Sequence, residues 1–187
     1  PRSSSAASDV YKRQDVSCDE EPPLGSILRL FEVPSNGGDT LFSSMYAAYD
    51  ALSEAMKELL GKLSAMHDGG PNYIDRAKRA GIYDPNKVFP ANPHPIIRTH
   101  PETGRKAIFV NKIFTQYIVD MPKDESRAIL DFLFQHIAKP NFQCRFKWEK
   151  DSVAFWDNRC ALHHAMWDYY PETRRGYRVT IKGDKPR

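Results

Sequence analysis

The sequence predicts a mainly β fold with flanking helices, of the sandwich or jelly-roll class. Several short segments of strand character are separated by turns rich in Gly, Pro and Asn. Helical periodicity is confined to stretches that flank the strands rather than alternate with them, which favours a packed or rolled antiparallel sheet. The chain contains no GxGxxG motif, no Walker loop and no internal repeat. These absences argue against a doubly wound nucleotide-binding fold.

The first half of the chain is predicted to combine one strand with a helical stretch. Aliphatic and aromatic residues predict a strand at 26–32, followed by a turn at 34–39. Apolar residues recur at helical spacing from 43 to about 67, and Ser53 could cap a second helix there, so one kinked helix and two helices both fit. Residues 69–95 are predicted to form a long surface loop with one helical turn, either a lid over a site or a plain crossover.

The second half is predicted to be richer in strands. Strand character returns at 95–99 and 107–111, and a helix follows Pro122 and ends before Pro140. Apolar and polar residues alternate over 142–148, as is typical of a half-buried antiparallel strand. Two further strands are predicted at the end of the chain, over 152–156 and 177–182.

Composition limits the class of protein. A chain of 187 residues forms one domain with a substantial core. The net charge is +3 and basic residues are interspersed with acidic ones, so nucleic acid is not an expected partner. No apolar run approaches the roughly 20 residues of a membrane helix. Three separated cysteines without a CxxC pair predict a reducing, cytoplasmic setting. Residues 1–14 lack apolar periodicity and are expected to be a disordered segment foreign to the domain at 15–187.

The C-terminal region contains the strongest candidates for chemistry. His163 follows a polar turn, and Arg174 and Arg178 are four residues apart, which places both on one face of a strand. An imidazole near two guanidinium groups indicates a site for a metal and an organic anion, although a structural histidine beside a solvated turn would give the same pattern. Arg178 interrupts an apolar strand and would need an anion if buried, either Asp157, Asp184 or a ligand.

Two weaker candidates lie towards the other end. Asp15 immediately precedes the apolar–polar stretch at 16–18, where an acid is most often an ordinary surface residue. Thr40 closes the glycine turn at 37–40, and its hydroxyl could donate to an anion or cap a helix.

The order of these segments resembles a known family. Asp15 is followed by GGDTLF, HPIIRTHP and KAIFVN, and then by WDNR-x3-H and RR-x2-R-x-TI-x-GDKP. This order is similar to the TauD/TfdA family of Fe(II)- and 2-oxoglutarate-dependent dioxygenases, and most similar to its taurine dioxygenases. The resemblance runs from about Asp15 to Pro186. It implies a double-stranded β-helix (jelly roll) that is incomplete at its N-terminus.

The resemblance also implies roles for particular residues. Asp15 and His163 would be ligands of Fe(II), and Thr40 and Arg174 would bind the distal carboxylate of 2-oxoglutarate. Substrate would contact Arg178, Phe114 and Val16. The implied reaction uses O2 to couple decarboxylation of 2-oxoglutarate to hydroxylation of a small anionic substrate such as taurine or another sulfonate. Family resemblance further implies that a homo-oligomer is possible.

One residue departs from the family pattern. Family members hold iron with a His-x-Asp pair and a distant histidine, a facial triad, but Arg13 stands where the first histidine is expected. A guanidinium group cannot coordinate a cation, so we expect this chain to bind iron weakly although its intact parent is an oxygenase. The same departure leaves open a non-catalytic jelly-roll module that binds a small organic anion.

A zinc hydrolase is the remaining alternative. It would use His163, His164 and either His100 or His94. The chain lacks HExxH or any compact ligand spacing, which makes this the weakest of the three interpretations.

Overall fold

The computed structural model describes residues 16–187, and the predictions for residues 1–14 and Asp15, including Arg13, lie outside this range. Strands and helices follow one another along the described chain, with a 3-10 turn at Pro140–Phe142. The strands are β1 (Gly25–Glu32), β2 (Thr40–Ser44), β3 (Ser64–Asp68), β4 (Ala91–Pro95), β5 (Ile97–Thr99), β6 (Lys106–Ile108), β7 (Thr115–Ile118), β8 (Gln143–Phe146), β9 (Val153–Asp157), β10 (Ala161–Ala165) and β11 (Arg175–Ile181). The helices are α1 (Met45–Asp50), α2 (Glu54–Leu60), α3 (Gly70–Ala80) and α4 (Lys123–His136).

The strands form small antiparallel sheets that pack into a roll. One sheet has the order β11-β1-β9 and a second has the order β10-β2-β8. A third sheet, β4-β3-β7, and the hairpin β5-β6 complete the described strands. Every pairing is antiparallel, so the mainly β prediction with flanking helices is confirmed.

Two apolar cores lie on opposite faces of the β10-β2-β8 sheet. Leu162 faces the larger core, where it packs with residues of α1 and α4. Phe42 faces the smaller core, which it shares with β1 and β9 through Leu30, Ala154 and Trp156. Successive side chains of a strand point to opposite faces. The β10-β2-β8 sheet therefore supplies residues to both cores, and its second face is the inner wall of the roll.

Several element predictions are confirmed. The strand predicted at 26–32 is β1, and the helix predicted after Pro122 is α4. Ser53 caps α2, because its side chain accepts a hydrogen bond from the N–H of Met56, so the helical stretch is two helices. Residues 152–156 and 177–182 correspond to β9 and β11 within one or two residues.

Other element predictions were wrong. The helical stretch ends at Leu60, because Ser64–Asp68 is β3, in which Ala65 and His67 are buried and alternate with half-buried residues. The single helical turn predicted in the long loop is α3, a helix of 11 residues. The strand predicted at 142–148 is shorter, and Cys144, expected on its buried face, is exposed.

No helix between residues 16 and 187 has the length and apolar character needed to cross a lipid bilayer.

Candidate functional site

A glycine turn delivers Thr40 to the inner wall of the roll. Gly37 and Gly38 have φ angles of +74° and +70°, a region that side chains with a Cβ seldom adopt. A Cβ on Gly37 would lie 2.7 Å from the carbonyl oxygen of Asp168. The N–H of Gly38 donates to Oδ1 of Asp168 at 2.9 Å. The turn thus packs closely on the 166–174 loop and places Thr40 at the first position of β2.

Thr40 is the centre of a buried polar cluster. Its side chain is 2% exposed. Its hydroxyl oxygen accepts a hydrogen bond from Nε1 of Trp148 at 3.0 Å and another from Nη2 of Arg174 at 3.1 Å. The guanidinium carbon of Arg174 lies 5.4 Å from the centre of the Trp148 ring, which is a cation–π contact. These contacts fix the guanidinium plane of Arg174 beside the Thr40 hydroxyl.

One nitrogen of the Arg174 guanidinium group lacks a hydrogen-bond partner. Its Nε is buried and has no hydrogen-bond partner. Burial lowers the pKa of Arg174 from its ordinary value, because the charged form has lost solvent, while the nearby Tyr169 and Asp39 favour the charged form. A guanidinium still carries its proton under these conditions. The cluster therefore fits a carboxylate, whose two oxygens would supply the acceptor that the buried Nε lacks.

His163 lies on the same inner wall. In β10 it pairs with Phe42 of β2, and Ala165 pairs with Thr40. Residues opposite each other in an antiparallel pair share a face, so His163 and Thr40 are diagonal neighbours on that face, positions about 7–8 Å apart in such pairs. His163 is 8% exposed, and its ring lies 4.9 Å from that of Trp156.

Arg178 shares the inner face of its sheet but is not buried. It pairs with Leu28, which in turn pairs with Ala154, and both apolar residues belong to the smaller core. The side chain of Arg178 is exposed, so the condition under which it would need an internal anion, namely burial, is not met. Arg174 lies just before β11, so the two arginines do not share the strand that the sequence predicted.

The carboxylates proposed as partners of Arg178 pair with other arginines. Asp184 accepts from Nη2 of Arg98 at 2.8 Å. Asp157 accepts from Arg159 with a shortest distance of 2.6 Å and from His100 at 3.0 Å. Burial acts to raise the pKa of Asp157, but the hydrogen bonds from Arg159 and His100 outweigh it and lower the pKa. The polar turn before His163 is therefore fixed by its own ion pairs.

Phe114 and Val16 lie in a different part of the described structure. Phe114 is 6% exposed, and its ring centre lies 6.0 Å from that of Tyr73. Val16 has a φ of +48° and begins a turn in which its carbonyl accepts from the N–H of Asp19. The contacts of Phe114 involve β3, α3 and β7 rather than the Thr40 cluster.

The histidines of the zinc hydrolase interpretation do not converge. His163 and His164 are neighbours on one strand and point to opposite faces. His94 bonds to the carbonyl of Asp19 at 2.9 Å. Potential ligand atoms of His100, Asp157 and Cys160 do lie within 4.8 Å of one another. However, Nδ1 of His100 accepts from the N–H groups of residues 102 and 103, so Nε2 carries the ring proton and is not free to coordinate a cation.

The described residues include both candidate residues for 2-oxoglutarate, Thr40 and Arg174, but only one candidate iron ligand, His163. His163 supplies one imidazole on the inner wall, whereas Asp15 and Arg13 lie outside the described range. In the family pattern the first of the three ligand positions is a histidine, and this sequence has Arg13 there, whose guanidinium group cannot coordinate a cation.

Sequence reasoning missed the role of Trp148. The alternation over 142–148 placed it on the buried face, and it is 4% exposed. Nothing in that pattern indicated that its indole N–H bonds to Thr40, 108 residues away along the chain. A buried tryptophan needs an acceptor for its indole N–H, so the sequence could have predicted that Trp148 makes a hydrogen bond, but not that Thr40 is the acceptor.

Comparison with known proteins agrees with this geometry. The family described as "Taurine catabolism dioxygenase TauD, TfdA family" matches residues 2–180. A candidate alpha-ketoglutarate-dependent sulfonate dioxygenase of Schizosaccharomyces pombe is 42% identical over 177 residues, which cover 94% of this chain and 45% of that protein. An alpha-ketoglutarate-dependent sulfonate dioxygenase of Saccharomyces cerevisiae is 33% identical, with 92% and 42% covered. The chain thus spans less than half the length of these two relatives.

Solved structures give the same result. A taurine dioxygenase from Burkholderia xenovorans is 36% identical with a TM-score of 0.81, over 94% of this chain and 57% of that chain. A structure of AAD-2 in complex with Mn(II) and N-oxalylglycine is 28% identical with a TM-score of 0.82, over 94% and 69%.

Fold and site together define a jelly-roll protein whose inner wall places a guanidinium and a hydroxyl group on the same wall as a histidine. The matches over nearly the whole chain identify its family. The chain belongs to the TauD/TfdA family, whose enzymes are dioxygenases that use Fe(II), 2-oxoglutarate and O2. The resemblance stated from the sequence, and the jelly-roll fold that it implied, are confirmed.

Proposed function

We propose that the protein is a 2-oxoglutarate-dependent oxygenase that hydroxylates a small anionic substrate, and that Thr40 and Arg174 bind the distal carboxylate of 2-oxoglutarate. The observation that carries this proposal is the half-buried guanidinium of Arg174, held against the Thr40 hydroxyl with its buried Nε lacking a partner. A charge-assisted, geometrically defined contact is the kind that selects a carboxylate. The names of the relatives, which include alpha-ketoglutarate-dependent enzymes, support the same assignment.

The proposed reaction consumes one O2. One oxygen atom enters the succinate formed by decarboxylation of 2-oxoglutarate, and the other enters the hydroxylated substrate. Bound Fe(II) would supply the activation of O2. The chain's own contribution is to orient 2-oxoglutarate through Arg174 and Thr40 and to surround it with aromatic side chains, including Trp148, that exclude water.

We assign Arg178, Phe114 and Val16 to the binding of a substrate such as taurine or another sulfonate. Arg178 offers an exposed guanidinium on the inner face of its sheet, and Phe114 offers a buried aromatic ring. A sulfonate dioxygenase and a Pseudomonas putida sulfate ester dioxygenase, the latter 35% identical, support an anionic substrate. Hydroxylation of a carbon that bears a sulfonate gives a product that breaks down to an aldehyde and sulfite.

Iron would be held by Asp15 and His163. Arg13 removes the third ligand, so we propose that iron binding and turnover by this chain are impaired relative to its parent. If the impairment is complete, the chain is a non-catalytic jelly-roll module that binds an organic anion through Arg174. Arg13 is the specific feature that favours this second function.

Further parts of the proposal concern the chain as a whole. We assign residues 15–187 to the dioxygenase domain and residues 1–14 to a foreign segment. The expected setting is the cytoplasm, and the expected assembly is a homo-oligomer without nucleic acid or membrane partners.

Substitution of Arg174 tests the co-substrate site. Arg174→Ala should raise the dissociation constant for 2-oxoglutarate about tenfold to a hundredfold, because a hydrogen bond to a charged group is lost. The matched control is Arg175→Ala, which removes the same charge from the next residue, whose 67% exposed side chain pairs with Glu32. Calorimetric titration gives both constants. An equal effect of the two substitutions would show that the co-substrate assignment is wrong.

Restoration of the missing ligand tests the metal site. Arg13→His should strengthen Fe(II) binding at least tenfold under anaerobic conditions, because an imidazole replaces a repelling cation. Succinate formation should then appear with taurine, alkyl sulfates or aryloxyacetates as substrate. The control is Lys12→His, which adds an imidazole one position away. Stoichiometric, submicromolar Fe(II) binding by the unaltered chain would contradict the proposed impairment.

A further inference from the structure

The segment that follows Asp15 is held by side chains from several other elements. Ser17 and Cys18 are completely buried. The carbonyl of Cys18 accepts from Nδ2 of Asn92 at 2.8 Å, and the carbonyl of Asp19 bonds to Nε2 of His94 at 2.9 Å. Both of these donors belong to β4. The segment is therefore fixed to the third sheet by hydrogen bonds rather than by apolar packing alone.

The Ser17 hydroxyl lies at the centre of this arrangement. It accepts from Nδ2 of Asn111 at 2.7 Å and bonds to Nδ1 of His67 at 2.9 Å. Burial of the His67 ring, together with the nearby His94, lowers its pKa to about 3, so the ring is neutral. Since the hydroxyl already accepts from Asn111, we assign its own proton to the bond with Nδ1 of His67.

Asn111 connects this hydroxyl to the loop that carries Phe114. Its Oδ1 accepts from the N–H of Phe114 at 2.9 Å and from the N–H of Ile113 at 3.1 Å. Its Nδ2 points the other way, to Ser17. One buried amide group thus joins two segments that are 94 residues apart, and all its hydrogen-bonding groups have partners.

A second set of contacts, through Tyr73, also connects Phe114 with the Val16–Cys18 segment. The ring of Tyr73 packs on Phe114, and a Cβ on Gly69 would meet both the Tyr73 ring at 2.7 Å and the thiol of Cys18 at 3.0 Å, so the two side chains lie close together. Burial raises the pKa of Cys18 to about 11 and that of Tyr73 to about 12, so both groups are uncharged. Phe114 and the Val16–Cys18 segment are therefore linked through polar bonds on one side and through an aromatic contact on the other.

We propose that Ser17, His67 and Asn111 are positioning residues that hold the Val16 segment and the Phe114 loop in fixed relation, so that two walls of the substrate pocket move as one unit. A buried polar network with every partner satisfied is rigid and specific. Binding geometry is sensitive to displacements of about 1 Å. The link between the segments follows from the contacts, whereas the description of them as pocket walls rests on the proposed function.

Hydrogen exchange of the full chain tests the link without any requirement for activity. In Ser17→Ala, Asn111 loses the acceptor for its Nδ2, and the amides of Ile113 and Phe114 should exchange about tenfold faster although both donate to Asn111 and not to Ser17. The matched control is Ser126→Ala, another buried serine, whose Oγ accepts from the N–H of Ile118 at 2.8 Å. It should accelerate Ile118 and leave Phe114 unchanged.

Titration with taurine as the sulfonate probe tests the role in binding. Ser17→Ala should raise the dissociation constant for taurine about tenfold, as expected when one partner of a buried hydrogen bond is removed, and Ser126→Ala should not change it. Unchanged exchange at Phe114, or equal acceleration of all amides, would overturn the proposal. If taurine does not bind the unaltered chain, the proposed substrate class fails, and hydrogen exchange still decides whether the network exists.

Discussion

The hydroxyl group of Thr40 joins two distant segments of the chain. Its oxygen accepts from an indole N–H and from a guanidinium N–H, and these donors come from segments 108 and 134 residues further along the chain. The family pattern predicted Thr40 and Arg174 as a pair, and the structure brings them into contact. It did not predict Trp148, because a hydrogen bond between distant segments leaves no periodic trace in either of them.

Around Phe114, too, the family pattern predicts a single residue but not the contacts that hold it in place. The resemblance pointed to the ring as a substrate contact, which remains a proposal. The amide group of Asn111 that fixes this loop could not be inferred, since its partners are Ser17 and two backbone N–H groups. A buried asparagine requires partners, but the sequence does not say which ones.

The buried ring of His67 should make the free energy of unfolding depend on pH in the acid range. Its pKa is about 3 in the folded chain, because burial disfavours the charged ring, against 6.5 as its ordinary value. The unfolded chain therefore binds more protons between these values, and stability falls as pH decreases through this window. Between pH 7 and pH 5 the loss from this residue should be about 2 kcal/mol.

Urea unfolding at the two pH values measures this loss. His67→Gln removes the titrating ring, so the difference in unfolding free energy between pH 7 and pH 5 should shrink by that amount. Identical pH dependence in the two chains would show that the ring is not held neutral.

At the scale of elements, the stretch at 43–67 illustrates the limit of periodicity. Ser53 marked the boundary of α2 because a capping side chain is a local signal. The strand β3 at its end was missed, because five residues are too few for a period of 2 to be separated from a period of 3.6. Pairing with β4 and β7 decides the conformation of β3, and that information lies elsewhere in the chain.

The ion pairs of the turn between β9 and β10 are expected to stabilise the folded chain. Arg159 is 5% exposed and binds Asp157 and, through two nitrogens, Glu102. Arg159→Met should reduce the free energy of unfolding by about 3 kcal/mol, because the partly buried carboxylate of Asp157 loses its main partner. Urea unfolding at neutral pH measures the change.

A surface pair provides the control for this prediction. Arg105→Met breaks the bond to Asp50, in which both side chains are more than half exposed, and should cost less than about 1 kcal/mol. Similar losses in the two variants would mean that the turn derives no special stability from its ion pairs.

At the scale of the whole molecule, the outer face of the β11-β1-β9 sheet is apolar and exposed. Phe155 is 62% exposed, Tyr177 is 72% exposed and Val179 is 58% exposed, and all three flank the outward residues of β1. Within residues 16–187, β9 and β11 are the edges of this sheet. Exposed apolar sheet surface with open edges favours association.

We therefore expect this chain to self-associate as its concentration rises. Val179→Lys should weaken the association, because a charge on an edge strand opposes pairing. Val88→Lys is the control, since Val88 is 92% exposed but lies in the loop after α3. Sedimentation velocity over a range of concentrations distinguishes the variants, and a single monomeric species at every concentration would contradict the expectation.

The β10-β2-β8 sheet, which serves two cores at once, has a consequence for how the protein can evolve. An insertion or deletion of one residue within β2 would rotate Phe42 towards the helices, and one within β10 would rotate His163 towards the helices and Leu162 towards the inner wall. Either event would disrupt both cores and the inner wall. Changes of length should therefore be confined during divergence to the exposed connection after α3, while β2 and β10 change only by substitution.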